Sequence, residues 1–399
     1  MSLDADVRWM SINSMATVAS GATPSRSRDE YWANGVYPWV RTSEIKFKEI
    51  DNTAERVTRA AVKDANLKVF PVGAILLAMY GEGATRGRSA ILNIPASVNQ
   101  ATAAIVCNSQ YVDSRYLYYY LENSYEEIRK IGQGSNQTNL NANMVGNVKV
   151  AVPSLERQQK IIDVLATFAD EGRSVEAYIT KLKLMRAGLI QSLDGYEQGA
   201  LGSIVVSGPQ NGIYKSAGSY GLVGTPIVRI NSFDGGPSVL TSGLLRVDAT
   251  SAEVAKYRLK NGDLLVNRVN TVDLVGKSTV VAELGEETIF ESNIMRCGLD
   301  PERSLPSFAE AWMSGSSVKR HFLRRAKSAV SQASLNQDDV LSCPFPTISI
   351  LAQREFLIGL ECIDSQIRAG ELELTKLGDV RRGLAGDLLP GKVRTSGIA

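Results

Sequence analysis

Histidine is almost absent from this chain, since His321 is the only one among 399 residues. Hydrolytic triads with a histidine base and metal sites built from several histidines both need this side chain at defined places. A single histidine in a basic stretch therefore excludes multi-histidine metal sites and most histidine-dependent triads. Chemistry that uses carboxylates remains open.

Cysteine is also scarce and scattered, and Cys107, Cys297, Cys343 and Cys362 form no CxxC pair. This spacing argues against a zinc site and against a disulfide framework. We expect all four to be small buried apolar residues in a reducing compartment. No apolar run reaches the ~18 residues of a membrane span and no charged-then-apolar leader opens the chain, so the expected location is the cytoplasm, with no membrane partner.

The chain also has no large excess of positive or negative charge, because it contains 44 Lys and Arg and 42 Asp and Glu, for a net charge of +2. Attraction to nucleic acid would have to come from local patches and not from the field of the whole molecule. With 44% hydrophobic residues, the length is sufficient for two or three domains with well-formed cores.

Motifs of nucleotide-binding enzymes are missing. Gly276-Lys277-Ser278 would complete a phosphate-binding loop only with glycine at position 271, which is Thr271. A dinucleotide loop that opens at Gly81 fails because its third glycine position is Arg86. No Asn-Pro-Pro-Tyr or Asp-Pro-Pro-aromatic run exists, so the chain is not expected to be the DNA methyltransferase itself.

What the chain does contain is an internal repeat of nearly half its length. Pro38-Trp39-Val40-Arg41 returns as Pro226-Ile227-Val228-Arg229 after 188 residues, and Gly87-Arg88-Ser89 returns as Gly276-Lys277-Ser278 after 189. Each copy opens with short strand-like runs broken by turn residues, which predicts a compact α+β domain.

Each copy then continues, after Pro153 or Pro346, into a long segment with heptad spacing. Eight of ten seam positions are apolar in each copy, and Arg186 and Arg381 interrupt the seams in register. The first seam extends over 33 residues, or ~50 Å at ~1.5 Å per residue. Matched seams predict an antiparallel coiled coil of two long helices, with one domain at each end and an approximate two-fold axis. The two arginines could specify alignment, reach a partner or simply extend past the seam.

The predicted order is a first globular domain at 1–152, a helix at 153–195, a second globular domain at 196–345, a second helix at 346–389 and a tail at 390–399. This order resembles the specificity subunits of type I restriction-modification systems. The resemblance rests on Gly21-Ala22-Thr23-Pro24, on Pro38-Trp39-Val40-Arg41, on Gly208 to Tyr214 and on Val152 to Ile162 before the first helix. The second helix start, Pro346 to Arg354, is a looser match.

The resemblance implies a non-catalytic subunit that recognises double-stranded DNA. Each target-recognition domain would read one half of a bipartite, asymmetric target, while the helices set the spacer and dock two methyltransferase subunits. S-adenosylmethionine would belong to those subunits, and ATP and Mg²⁺ to a restriction subunit if one exists. The chain itself would hold no cofactor and no metal.

Candidate DNA-contacting residues follow from the chemistry of base and phosphate recognition. In the first domain they are Arg41, Thr42, Ser43, Arg86, Arg88, Ser89, Gln137 and Asn139. In the second they are Arg229, Asn231, Arg268, Asn270, Lys277, Ser278, Gln332 and Ser334, joined by the basic cluster Lys319, Arg320, Arg324 and Arg325.

Each group also has an ordinary structural interpretation. The loops could be glycine-rich hairpins with solvated arginines, the polar runs capping turns, the strand-end residues partners in salt bridges and the basic cluster a solvated helix face. For the whole chain, the competing hypothesis is a structural or adhesion protein with two β-rich domains on a coiled coil. Whether a nuclease subunit accompanies the methyltransferase is left open.

Overall fold

The structure is a computed structural model that describes residues 7–81, 84–131, 139–233, 243–328 and 332–392. The chain divides into two compact units, and each combines a globular domain with segments of two long helices. The first unit is Met1–Val175 with Leu372–Ala399, and the second is Glu176–Glu371. Both mix helices with strands, which confirms the α+β class.

The globular part of the first unit alternates strands with short helices. Its strands are β1 (Arg8–Ser11), β2 (Ala16–Ser20), β3 (Tyr37–Val40), β4 (Glu49–Ile50), β5 (Glu55–Val57), β6 (Ile75–Ala78), β7 (Ser89–Leu92), β8 (Ser97–Val98), β9 (Thr102–Cys107) and β10 (Lys149–Val152). Its helices are α1 (Arg59–Asp64), α2 (Ser114–Asn123), α3 (Tyr125–Lys130) and α4 (Ala142–Gly146).

These strands form one main sheet in the order β2-β9-β6-β7-β4, a smaller sheet β5-β3-β8, and the pair β1-β10. All four residues of β6 and all four of β7 are buried, because both strands consist mainly of small and aliphatic side chains. Asp113 caps α2 by accepting a hydrogen bond of 2.7 Å from the backbone N–H of Arg115.

The first long helix, α5 (Leu155–Ser192), leads from the first unit into the second. The second unit has β11 (Gln198–Ala200), β12 (Val205–Asn211), β13 (Tyr220–Gly221), β14 (Thr225–Val228), β15 (Arg246–Val247), α6 (Ser251–Tyr257), β16 (Leu264–Asn267), β17 (Val269–Asn270), β18 (Ser278–Val280), β19 (Ile289–Phe290) and β20 (Ile294–Leu299). It continues with α7 (Pro306–Met313), α8 (Ser316–Arg325), β21 (Lys327–Ser328), β22 (Ala333–Ser334), α9 (Gln337–Leu341), β23 (Pro344–Pro346) and the long α10 (Ile350–Leu388).

The second unit repeats the topology of the first. Its sheet β12-β20-β16-β18 corresponds to β2-β9-β6-β7, and β15-β14-β19 corresponds to β5-β3-β8. The pair β11-β23 corresponds to β1-β10, since each joins the first strand of a unit to the strand before a long helix. The second unit adds the sheet β17-β22-β21. The repeat predicted from the sequence is therefore a repeat of fold.

The predicted helix seams are confirmed by burial. Every one of the twenty seam positions is buried or half-buried, whereas most positions between them are exposed. In the first unit, Ile161 and Leu165 of α5 share a core with Leu388 of α10. In the second unit, Ile190 of α5 shares a core with Leu360 of α10.

Within each unit the segments of α5 and α10 pack antiparallel. In the second unit Arg186 pairs with Asp364 at 2.6 Å, while Lys183, which precedes Arg186, pairs at 2.8 Å with Glu371, which follows Asp364. Residue numbers therefore increase along α5 in the direction in which they decrease along α10. No described helix is long and apolar enough to cross a membrane.

Candidate nucleic-acid interface

A glycine-rich loop joins β6 to β7 in the first unit. Gly81 has φ +131° and Gly87 has φ +85°, conformations that side chains with a Cβ rarely adopt. A Cβ on Gly87 would lie 2.8 Å from Cγ of Arg129 on α3. The Tyr125 hydroxyl donates a hydrogen bond of 2.6 Å to the carbonyl of Ala84. The described part of the loop is therefore held against α3.

The two arginines predicted to read bases both lie half-buried in this loop. The guanidinium of Arg88 is 6.0 Å from the ring centre of Phe47, and its Nε atom has no hydrogen-bond partner among the described residues. Arginine offers five N–H donors in a planar fork, which matches a guanine edge or a phosphate. Arg86 is also half-buried, whereas Ser89 is fully buried in β7 and does not reach the surface.

The second unit builds the equivalent loop between β16 and β18 in the same way. Gly276 has φ +78°, and a Cβ there would lie 2.3 Å from Cδ2 of Phe322 on α8. Beside it, the Lys277 ammonium lies 5.2 Å from the ring centre of Phe233. Ser278 is 4% exposed in β18, so it is as inaccessible as its counterpart in the first unit.

Two polar runs predicted separately meet in the second unit. Strand β17 pairs with β22, and the N–H of Leu335 donates a hydrogen bond of 2.8 Å to the carbonyl of Arg268. Arg268 is half-buried, and its Nε atom is without a hydrogen-bond partner in the described part of the chain. Gln332 is exposed, Ser334 is half-buried in β22, and Asn270 is buried in β17.

The first unit shows part of the same arrangement. The N–H of Leu140 donates a hydrogen bond of 3.0 Å to the carbonyl of Met79, directly after β6. Asn139 is therefore placed beside the glycine loop, and it is exposed. Gln137 lies outside the described residues.

The strand-end arginines are engaged with carboxylates. Arg41, after β3, lies 3.6 Å from Glu55 and 3.9 Å from Glu44. Arg229, after β14, lies 3.4 Å from Glu291, which is only 6% exposed. The salt-bridge interpretation therefore describes this structure, and contact with DNA would require a phosphate or base to compete with these carboxylates.

The polar neighbours of these arginines differ in accessibility. The Thr42 hydroxyl is within hydrogen-bond distance of the Asn99 amide, at 2.8 Å. Ser43 and Asn231 are exposed. Only the latter two present a side chain to a ligand without rearrangement.

Helix α8 carries the basic cluster. Lys319, Arg320, Arg324 and Arg325 are exposed, while the apolar face of the helix is buried. The three arginines and His321 line a concavity of about 510 Å³. No acidic residue occurs within α8, although Asp194 accepts a hydrogen bond of 2.6 Å from Ser317 on this helix. A surface of this kind attracts phosphates.

The single histidine is held by a backbone group. Nε2 of His321 lies 3.0 Å from the carbonyl oxygen of Asp339, which anchors the ring. Burial raises the pKa of Cys297 and Cys343 to about 12, so both thiols are neutral. Cys362 is exposed on α10, contrary to expectation. Within the described ranges, no three His, Cys, Asp or Glu side chains are grouped to hold a metal ion.

Two buried glutamines were not among the predicted site residues, Gln158 near the start of α5 and Gln353 near the start of α10. Both are 0% exposed, and they are separated by 195 residues, the offset of the helix repeat. A polar residue kept at the same place in both copies was the available signal.

The N-terminal part of the chain matches a known family. Residues 5–183 match the family model described as the type I restriction modification DNA specificity domain. The StySPI specificity subunit of a type I restriction enzyme from Salmonella potsdam is 23% identical over 376 residues, covering 88% of this chain and 80% of that subunit. The chain is therefore similar to the type I restriction-modification specificity subunits.

Other relatives match a shorter stretch of the chain. The MjaIX subunit of Methanocaldococcus jannaschii is 34% identical over 40% of the chain, and the EcoR124I/EcoR124II subunit of Escherichia coli is 23% identical over 41%. These alignments cover 37% and 41% of the two relatives, so the chain spans about four tenths of their length.

Two solved structures share the fold of this chain. A chain from a type I restriction-modification system, solved to explain complex assembly and conformational transition, has a TM-score of 0.65 at 13% identity and covers 98% of this chain and 100% of its own. The S subunit from M. genitalium has a TM-score of 0.52 at 14% identity and covers 98% of both chains. At this identity the likeness establishes the fold alone.

Proposed function

We propose that the chain is a specificity subunit that reads a bipartite DNA target, one half-site for each globular domain, and presents that target to a methyltransferase. The observation that carries the proposal is the duplicated loop. Gly87 lies against α3 and Gly276 lies against α8, each so close that an added Cβ would meet a side chain of the helix. Arg88 and Lys277 follow these glycines at the same position. Two equivalent loops, one in each unit, are consistent with recognition of two half-sites on one DNA duplex.

The two half-sites differ, because the side chains offered by the two loops differ. Arg88 presents a bidentate fork suited to guanine, whereas Lys277 presents a single point charge. The second unit also joins its loop to β22, which brings Ser334 beside Arg268. An asymmetric target follows from this difference in chemistry.

The grip on the phosphate backbone comes mainly from α8. Its four exposed cations lie on one helix that contains no acidic residue. The corresponding α3 of the first unit carries Glu126 and Glu127 beside Arg129 and Lys130. Phosphate contacts add affinity without sequence information, so the second unit contributes more of the salt-sensitive affinity.

The long helices set the spacer and dock the methyltransferase subunits. The spacer of unread base pairs depends on α5 and α10, since both units include segments of these two helices. Two methyltransferase subunits dock on the helices and bring S-adenosylmethionine. ATP and Mg²⁺ act with a restriction subunit where one is present. The chain itself is non-catalytic and acts on DNA in the cytoplasm.

A structural or adhesion protein is the weaker hypothesis. It accounts for two domains and long helices, but it gives no reason for a match to a DNA specificity domain. It also gives no reason for four exposed cations on one helix. Salt-sensitive affinity for duplex DNA separates the two hypotheses.

The deciding experiment is to express the chain with its methyltransferase partner and map adenine methylation across the genome. A gapped motif of fixed spacing, present only with this subunit, is the expected result. Methylation that does not depend on the subunit, or that follows an ungapped motif, would refute the proposal.

A further inference from the structure

Gln158 connects a long helix to a recognition domain in the first unit. Its Oε1 accepts a hydrogen bond of 2.8 Å from the backbone N–H of Asp113, the residue that caps α2. Its Nε2 donates to the carbonyls of Tyr111 at 3.1 Å and Pro153 at 2.9 Å. Both ends of this buried amide are therefore engaged with backbone groups.

Gln353 makes the same set of contacts in the second unit. Its Oε1 accepts a hydrogen bond of 2.8 Å from the N–H of Leu305, the residue before α7. Its Nε2 donates to the carbonyls of Arg303 at 2.9 Å and Ile348 at 3.2 Å. The partners occupy equivalent positions, two residues before the capping residue and five residues before the glutamine.

Because both glutamines are buried, the loss of one of these hydrogen bonds would destabilise the protein. Both glutamines are 0% exposed, so water does not replace a lost partner. Each free N–H at the start of a helix needs an acceptor, and the glutamine oxygen supplies one to α2 or α7. An apolar replacement would leave buried backbone groups without partners, which is costly.

The contacts lie on a continuous path to the reading loops. Helix α2 packs against β7, and α7 packs against β18. Strand β7 begins directly after Arg88, and β18 begins directly after Lys277. A change in the angle between a long helix and its recognition domain would therefore displace the loop that contacts DNA.

We propose that Gln158 and Gln353 are positioning residues that set the angle of each recognition domain on its long helix, and so determine how strictly the spacer of the target is measured. This inference rests on the proposed function. It requires neither glutamine to touch DNA, and it predicts that base preference within each half-site is independent of both.

The test uses the complete complex with its methyltransferase and the motif mapped for the wild type. Plasmids carry that motif with its native spacer, one base pair shorter or one base pair longer. Gln158→Met and Gln353→Met keep the side-chain length and remove the amide. Gln159→Met is the matched control, because the one partner of the Gln159 amide among the described residues is Asp163, on the exposed face of the same helix.

We expect each of the two variants to lower discrimination between the native and altered spacers by about tenfold, since a buried hydrogen bond contributes an equilibrium factor of that order. Base preference in both half-sites should be unchanged. The Gln159→Met control should discriminate between the three spacers as the wild type does. Equal loss of methylation on all three spacers would mean that the glutamines serve only folding, and would overturn the inference. Absence of gapped methylation with the wild type would instead refute the proposed function.

A variant that fails to fold does not end the test. Gln158→Asn and Gln353→Asn retain the amide and shorten its reach by one methylene group, so they should relax spacer discrimination partially. If these folded variants measure the spacer as strictly as the wild type, the inference is wrong.

Discussion

Removing the two adjacent arginines at the end of α8 should flatten the salt dependence of DNA binding. Arg324 and Arg325 are exposed and line the concavity on that helix. Each neutralised phosphate contributes about 0.9 to the slope of log affinity against log salt, so Arg324→Ala/Arg325→Ala should reduce its magnitude by about 1.8. Between 50 and 200 mM salt, the wild type should then lose roughly an order of magnitude more affinity than the variant.

The assay is fluorescence anisotropy with a labelled duplex that carries the mapped motif, titrated with the methyltransferase complex at several salt concentrations. The control is Lys160→Ala/Arg173→Ala, which removes two exposed cations from α5. Base preference should not change, because phosphate contacts carry no sequence information. An unaltered slope in the α8 variant would show that its arginines are only a solvated face.

Three further outcomes are expected. Arg86→Ala/Arg88→Ala should degrade one half of the methylated motif and leave the other intact; equal loss of both halves would indicate a role in folding or general grip. Burial raises the pKa of Glu310, so the folded protein loses stability as pH rises from the unfolded pKa towards the folded one. Glu310→Gln should therefore have a higher free energy of unfolding than the wild type at pH 8. Urea unfolding should show a smaller difference at pH 4. Arg381→Met should cost about 1–2 kcal/mol of unfolding free energy, because it leaves the half-buried Glu122 without its partner at 2.6 Å; in Glu122→Gln/Arg381→Met part of that loss should return, and a fully additive double variant would contradict the pairing.

The long helices were predictable because their signal is local and periodic. Apolar residues at alternating spacings of four and three positions place one face of a helix in a seam, and seam positions such as Ile161 and Leu388 are buried as expected. The antiparallel direction followed from the length of the connection, and the pairs of Arg186 with Asp364 and Lys183 with Glu371 bear it out within the second unit.

The reading residues were less predictable because accessibility depends on distant parts of the chain. Ser89 and Ser278 follow a glycine and a cation in a polar motif, yet each is the first residue of a buried strand. Arg229 is paired with Glu291, which lies 62 positions away. No local pattern indicates which carboxylate a strand-end arginine will meet.

The duplication, the α+β class and the two helical seams can be read from the order of residues alone, because repeats and periodicity are properties of that order. The exposure of each polar side chain cannot be read in this way, since burial is set by packing between segments far apart in the chain. Gln158 and Gln353 illustrate the difference. The chain places an amide at the same point in each copy, but only the packing of the segments that lead into α2 and α7 against the long helices gives each amide two of its three backbone partners.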